Sequence, residues 1–249
     1  LFNMKLTYKE DLFLLDKLFQ LRSVSLQNTG ITKISKRLLP SSIVVVFGGS
    51  YGIGKDIVEI CEQYGAHVYS FSRSLNGIDV SKQEDVAKVL KEISEKEGRI
   101  DAVINTAGLL DKVPLSNMDY EEIYKSIYIN YIGAIIIAKE SYFYLKQTKG
   151  TLLLFTSSSY TRGRSLYSLY SSSKAAIVNF TQALSEEWYD QGIRINCINP
   201  ERTKTPMRIK NFGVEPEATL LDPKMVAMTS INVLFSSLTG EVIDIKKGV

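Results

Sequence analysis

Ile43-Val44-Val45-Val46-Phe47-Gly48-Gly49-Ser50-Tyr51-Gly52-Ile53-Gly54 decides how the rest of the chain is read. A continuous β-branched run is the mark of a strand buried on both faces, as in a parallel sheet. The run enters a glycine turn, and a helix is expected from Lys55 to Tyr64. Strand, glycine turn and helix in that order give a glycine motif its meaning. Gly48 permits the tight turn, Gly52 lets a pyrophosphate approach the backbone, and Gly54 allows close packing of the helix. Free N–H groups at the helix start, with Ser50, Tyr51 and Ile53 between the glycines, would complete a dinucleotide cradle; a structural glycine turn is the other reading.

Working outward, further strands are expected at His67–Phe71, Ile100–Ile104, Thr151–Phe155, Ile193–Asn199 and Glu241–Ile245. Helices are expected at Lys82–Lys96, over Tyr120–Gln147 (as one helix or two in register) and from the Tyr170 region to about Tyr189. Alternating strands and helices give an α/β, Rossmann-like doubly wound parallel sheet with helices on both faces, and ligands at the carboxyl ends of the strands. Too few residues separate Arg73 from Ile78-Asp79-Val80 for a full helical crossover, so that helix is expected to be missing or reduced to a loop. The tip Ser72-Arg73-Ser74 carries a base and no acid; there an acid suits a ribose 2′-hydroxyl and a base a 2′-phosphate, so Arg73 points to NADP(H). A plain surface arginine is the other reading.

Tyr170 and Lys174 lie one helical turn apart on one face. An ammonium beside a phenol favours the phenolate and lowers its pKa, which makes the phenol a usable proton donor. The pair alone is weak in a chain with 14 tyrosines.

The chain of 249 residues carries a formal net charge of +3, too slight to argue for nucleic acid or a membrane surface. Its longest apolar run, Ile132–Ala138, is too short to span a bilayer. Cys61 and Cys197 form no disulfide framework and suit a reducing cytoplasm. His67 is the sole histidine and no ligand cluster accompanies it, which argues against metal catalysis. Residues 1–25 read as a strand, Phe2–Leu6, and an amphipathic helix with Thr7 and Glu10 at capping-box spacing before Leu12, Leu15, Leu18 and Phe19. That helix needs a partner surface, and residues 26–40, aperiodic and basic, read as a linker. The first residue is Leu1, which suggests a piece of something longer.

Together these markers resemble the short-chain dehydrogenase/reductase family over residues 41–249. The ordered set is the Gly48, Gly52, Gly54 turn, then Asn105-Thr106-Ala107-Gly108, Ser157, and Tyr170 with Lys174. The resemblance implies hydride transfer between a nicotinamide and a carbonyl carbon. Ser157 would bond the carbonyl oxygen, with Ser158 as its substitute if the register slips by one. Tyr170 would give the proton, and Lys174 would tune the phenol and hold the nicotinamide ribose. Asn130, otherwise explicable as a satisfied buried amide, would position a water that resupplies the proton. The resemblance also places Asp79 at the adenine, Asn105, Ala107 and Gly108 along the cofactor, and Pro200, Thr203 and Thr205 on its nicotinamide side. It further implies a homodimer or homotetramer paired through the helices carrying Asn130 and Tyr170. Phe47, Glu201 and the ending Lys246-Lys247-Gly248-Val249 depart from the family pattern without touching the proton-transfer residues.

The loop after Pro200 carries Arg202, Lys204, Arg208 and Lys210, and the Ser157–Tyr170 loop adds Arg162 and Arg164. Arg162, Arg164, Arg202, Lys204 and Arg208 suit a substrate phosphate or carboxylate; contact with the cofactor pyrophosphate, or with solvent, is the other reading. Pro200–Arg208 resembles the reductase half of bacterial bifunctional enzymes that make CDP-ribitol for capsule-like polymers. Lys5–Leu12 is similar to the end of the cytidylyltransferase domain preceding that reductase. The resemblance implies that residues 1–25 are a remnant of this domain and that D-ribulose 5-phosphate is reduced to D-ribitol 5-phosphate with NADPH. Reduction of a 3-oxoacyl thioester or an unphosphorylated sugar is the alternative, and a non-catalytic NADP-binding module a more distant one.

Overall fold

The computed structural model describes residues 7–12, 23–25 and 30–247. Among the described residues, seven strands, β1 (Val24–Ser25), β2 (Ile43–Phe47), β3 (His67–Phe71), β4 (Ala102–Asn105), β5 (Thr151–Phe155), β6 (Arg194–Pro200) and β7 (Val242–Ile245), form one sheet. Their order is β1-β7-β6-β5-β4-β2-β3 and every pairing is parallel. Every residue of β2, β4 and β5 is buried, which is why these strands are apolar without alternation.

From residue 30 onward, the α-helices among the described residues are α1 (Lys33–Leu38), α2 (Gly52–Gln63), α3 (Arg73–Asn76), α4 (Gln83–Glu97), α5 (Tyr120–Ile127), α6 (Gly133–Thr148), α7 (Ser168–Glu187), α8 (Pro206–Phe212) and α9 (Pro223–Leu234). Ile57 and Cys61 of α2 pack with Val226 and Ile231 of α9 on Val44 and Val46. On the other face, Val86 and Leu90 of α4, Ile137 of α6 and Ile177 of α7 cover Val45 and Phe47. The period-two alternation of β2 therefore feeds two separate cores. The order reverses beside β2: its first crossover leads to β3 on one side and the next strand, β4, lies on the other. A cleft at the carboxyl ends of these strands follows from that reversal.

Three expectations change. The crossover after β3 is not a bare loop but keeps one helical turn, α3, closed by Gly77 at φ 75°. The segment 26–40, expected as a linker, is ordered over its described part: the Thr32 hydroxyl caps Ser35 N–H, and Asn232 of α9 bonds Thr32, Ser35 and Gly30. Leu39 behind it is fully buried. This contact is tertiary, so no local periodicity announces it. At the start of the chain, Asp11 rather than a Thr7–Glu10 pair takes the capping role, accepting the Thr7 and Tyr8 amides at 2.7 and 2.8 Å. The strand expected at Phe2–Leu6 and the helix positions Leu15, Leu18 and Phe19 lie outside the described residues. Ser23 donates to Asp244 at 2.8 Å, beside the β1–β7 pairing.

Candidate active site

A cleft of about 840 Å³ runs from the glycine turn to the start of α7. Gly48, Ser50, Tyr51, Gly52, Ile53, Gly54, Arg73, Asp79, Ala107 and Gly108 line one part of it. Ser157, Ser158, Tyr170, Lys174, Pro200, Thr203 and Thr205 line the other, with Arg164, Arg202 and Arg208.

Gly48 has φ 87°, and a Cβ there would stand 2.5 Å from the Ala107 nitrogen. A Cβ on Gly54 would stand 2.4 Å from the Gly48 carbonyl oxygen. These glycines therefore let the turn fold tightly against the end of β4, leaving the start of α2 open toward the cleft. Thr205 closes over the turn: its methyl carbon would be 3.2 Å from a Cβ on Gly52, and its hydroxyl caps α8 by accepting Arg208 N–H. Thr203 is buried and donates to the Glu201 carbonyl.

Arg73 is half exposed, with Nη1 3.9 Å from Asp79. Burial acts to raise the Asp79 carboxyl, but two hydrogen bonds from Ser81 and the Arg73 charge outweigh it and hold it below its ordinary value. The glycine cradle, the Arg73 base and the small residues Ala107 and Gly108 fit a dinucleotide with a 2′-phosphate.

At the other end, Lys174 is fixed twice by the tip of β5. Its ammonium donates to the Phe155 carbonyl at 2.9 Å, and its own carbonyl accepts from Thr156 at 2.6 Å. Its Nζ lies 5.6 Å from the centroid of the Tyr170 ring. Burial lowers the lysine to about 8. The phenol is not lowered as the sequence suggested. Burial pushes Tyr170 up to about 12, while the Ser157 hydroxyl and the Arg208 charge act in the opposite direction. Tyr170 is only partly exposed at the cleft, and desolvation by the surrounding protein outweighs the Ser157 and Arg208 contributions. Ser157, not Ser158, is the serine that bears on the phenol, and it accepts a hydrogen bond from the Ser159 hydroxyl.

Asn130 and Asn105 stand behind the lining. Asn130 lies in a π-helical segment, Tyr128–Ile132, that joins α5 to α6 in one rod. Such segments often mark functional sites. Its amide is spent on Leu109, accepting from the nitrogen at 2.9 Å and donating to the carbonyl at 2.8 Å. Asn105 accepts from Ala107 N–H at 3.1 Å and shapes the same loop.

The basic residues separate. Arg162 and Lys204 do not line this cleft; Lys204 turns away to pair with Glu217. Lys210 pairs with Asp111 at 3.2 Å, and neither lines the cleft. Arg208 stays, paired with Glu215 and stacked on Phe212. Sequence reasoning does not find Glu215, Phe212 or Tyr167, although one acid just beyond a basic stretch was a signal that could have been used.

The family profile described as short chain dehydrogenase matches residues 42–213. The chain belongs to the short-chain dehydrogenase family. It is 54% identical over 245 residues, 98% of its length, to the bifunctional ribulose 5-phosphate reductase/CDP-ribitol pyrophosphorylase Bcs1 of Haemophilus influenzae. It spans about half of that protein, 51%. The 3-oxoacyl-[acyl-carrier-protein] reductase of Bos taurus is 27% identical over 83% of this chain and 97% of its own. Among solved structures, the 3-ketoacyl-(acyl-carrier-protein) reductase of Brucella melitensis complexed with NADH superposes with a TM-score of 0.78 at 20% identity. That match covers 84% of this chain and 98% of the other. ElxO with NADP bound gives 0.74 at 24% identity, covering 83% and 98%. At these identities the likeness establishes the fold. Among the described residues, no helix is long and apolar enough to cross a membrane.

Proposed function

We propose that the chain reduces D-ribulose 5-phosphate to D-ribitol 5-phosphate with NADPH, in the cytoplasm, as a supply for CDP-ribitol and surface polysaccharide. The observation that carries this reading is Arg208, a fixed cation in the cleft wall whose charge reaches the Tyr170 phenol. The name of the Haemophilus influenzae relative supports the same substrate.

The cofactor, held by the glycine turn, Arg73 and Asp79, supplies the hydride when bound. Ser157 orients the carbonyl oxygen by hydrogen bonding. As the carbonyl carbon accepts hydride, the Tyr170 O–H bond breaks and its proton passes to that oxygen. The Lys174 ammonium, close to the ring, steadies the resulting phenolate. Asn130 holds the Leu109 loop in place; the water relay to Tyr170 is part of the proposal. Residues 1–25 are proposed as the end of a cytidylyltransferase domain, and the exposed Tyr124, Tyr128 and Phe143 as part of a face that pairs subunits.

A 3-oxoacyl thioester is the second reading, favoured by the name of the Bos taurus relative. Against it stand Arg164, Arg202 and Arg208 in the cleft lining. NADPH oxidation with D-ribulose 5-phosphate, D-ribulose and an acetoacetyl thioester separates the readings. Turnover of the phosphorylated ketose in preference to both others is expected; preference for the thioester would overturn the proposal.

A further inference from the structure

Among the arginines lining the cleft, Arg208 is held by the closest ion pair. Its Nε and Nη2 donate to the two carboxylate oxygens of Glu215 at 2.6 and 2.9 Å. Its guanidinium carbon lies 4.0 Å from the centroid of the Phe212 ring. Phe212 packs edge-on against Tyr167 at 5.9 Å, and Tyr167 against Tyr170 at 6.3 Å. A row of rigid rings thus connects the guanidinium to the phenol.

The two members of the ion pair sit differently. Arg208, Phe212 and Tyr167 line the cleft, whereas Glu215 lies behind them. The clasp takes the Nε–Nη2 edge of the guanidinium and leaves the Nη1 donors uncommitted to Glu215. Both side chains are about four-fifths buried, with exposures of 20% and 19%. Arg202 is weaker on both counts: it is 55% exposed and its Nη1 is 3.9 Å from Glu215. An unheld arginine must give up rotamer freedom to grip an anion; a clasped one has already done so.

Resting on the reading above, we propose that Glu215 is a positioning residue that sets the preference for a phosphorylated substrate. It holds Arg208 so that the free edge of the guanidinium receives the terminal phosphate while the carbonyl lies at Tyr170. The acid neutralises part of the charge of the site, so recognition rests on the direction of the donors more than on net charge.

The test is steady-state NADPH oxidation by Glu215→Ala, with D-ribulose 5-phosphate and D-ribulose as paired substrates. KM for the phosphorylated ketose should rise about tenfold with a much smaller fall in kcat, while KM for D-ribulose and for NADPH holds. Arg208→Ala should move the same parameter further. An unchanged ratio of the two specificity constants, or an equal loss on both substrates, would overturn the proposal. If the wild type reduces another carbonyl and no phosphorylated ketose, the functional reading fails, and inorganic phosphate becomes the probe for Glu215. Weaker competitive inhibition by phosphate in Glu215→Ala would then uphold the positioning role, and equal inhibition would overturn it.

Discussion

Asn130 engages both backbone groups of Leu109, receiving its N–H and donating to its carbonyl across 2.9 and 2.8 Å. The contact joins the π-helical segment to the loop that follows β4. That loop carries Ala107 and Gly108, which line the cleft, and Leu110, whose carbonyl accepts a hydrogen bond from Asn211 of α8. One amide therefore fixes a loop that both lines the cleft and bonds to α8.

Asn130→Ala removes both bonds and leaves two part-buried backbone groups without this partner. A loss of about 2 kcal/mol in unfolding free energy is expected from denaturant titration. A loss of turnover should accompany it, because the loop lines the cleft. Unchanged stability would show that solvent readily replaces the amide.

The lowered Lys174 makes stability depend on pH in a predictable direction. From about 8 to its ordinary value of 10.5, the unfolded chain binds a proton that the folded chain does not. Stability therefore rises with pH through this window. Tyr170, raised to about 12 from 10.0, acts only above its ordinary value and lowers stability there. Denaturant unfolding of wild type and Lys174→Met at about pH 7.5 and 9.5 isolates the lysine, since the other groups are common to both proteins. The stability of the wild type relative to the variant should increase at the higher pH. A constant or decreasing difference would place the lysine in a better solvated setting.

Arg73 should set the choice of cofactor. Its side chain is half exposed and opposite Asp79, in the part of the cleft lined by the glycine turn. Arg73→Ala is expected to lower kcat/KM for NADPH about tenfold or more relative to NADH, as suits the loss of a charge-assisted contact. Equal effects on both cofactors would remove Arg73 from the 2′-phosphate.

Much of this architecture is legible in the chain itself. Runs such as Val44-Val45-Val46 and Leu152-Leu153-Leu154 are strands buried on both faces, and their alternation with helices leaves few topologies. The glycines that approach neighbouring backbone or turn left-handed, Gly48 and Gly54 above all, stand at their motif spacing. What escaped depends on contacts between distant segments. The Lys33–Leu38 helix is fixed by Asn232, far along the chain. Lys204 and Arg208 look alike in a basic loop, yet one pairs outward with Glu217 and the other lines the cleft. The phenol of Tyr170 shifts in the direction opposite to that expected, because spacing places a lysine nearby but does not reveal how much protein surrounds the phenol.

The central step of the proposed reaction is hydride delivery to the ketone of a phosphorylated ketose, with Tyr170 giving the proton. The most direct measurement is NMR of the product formed from D-ribulose 5-phosphate and NADPH carrying deuterium at both C4 positions of the nicotinamide, for wild type and Tyr170→Phe. Under this mechanism deuterium appears at C2 of the D-ribitol 5-phosphate made by the wild type, and the rate is lower by about a hundredfold or more in the variant while NADPH binding persists. Absence of label from D-ribitol 5-phosphate, or equal rates in the two proteins, would contradict it.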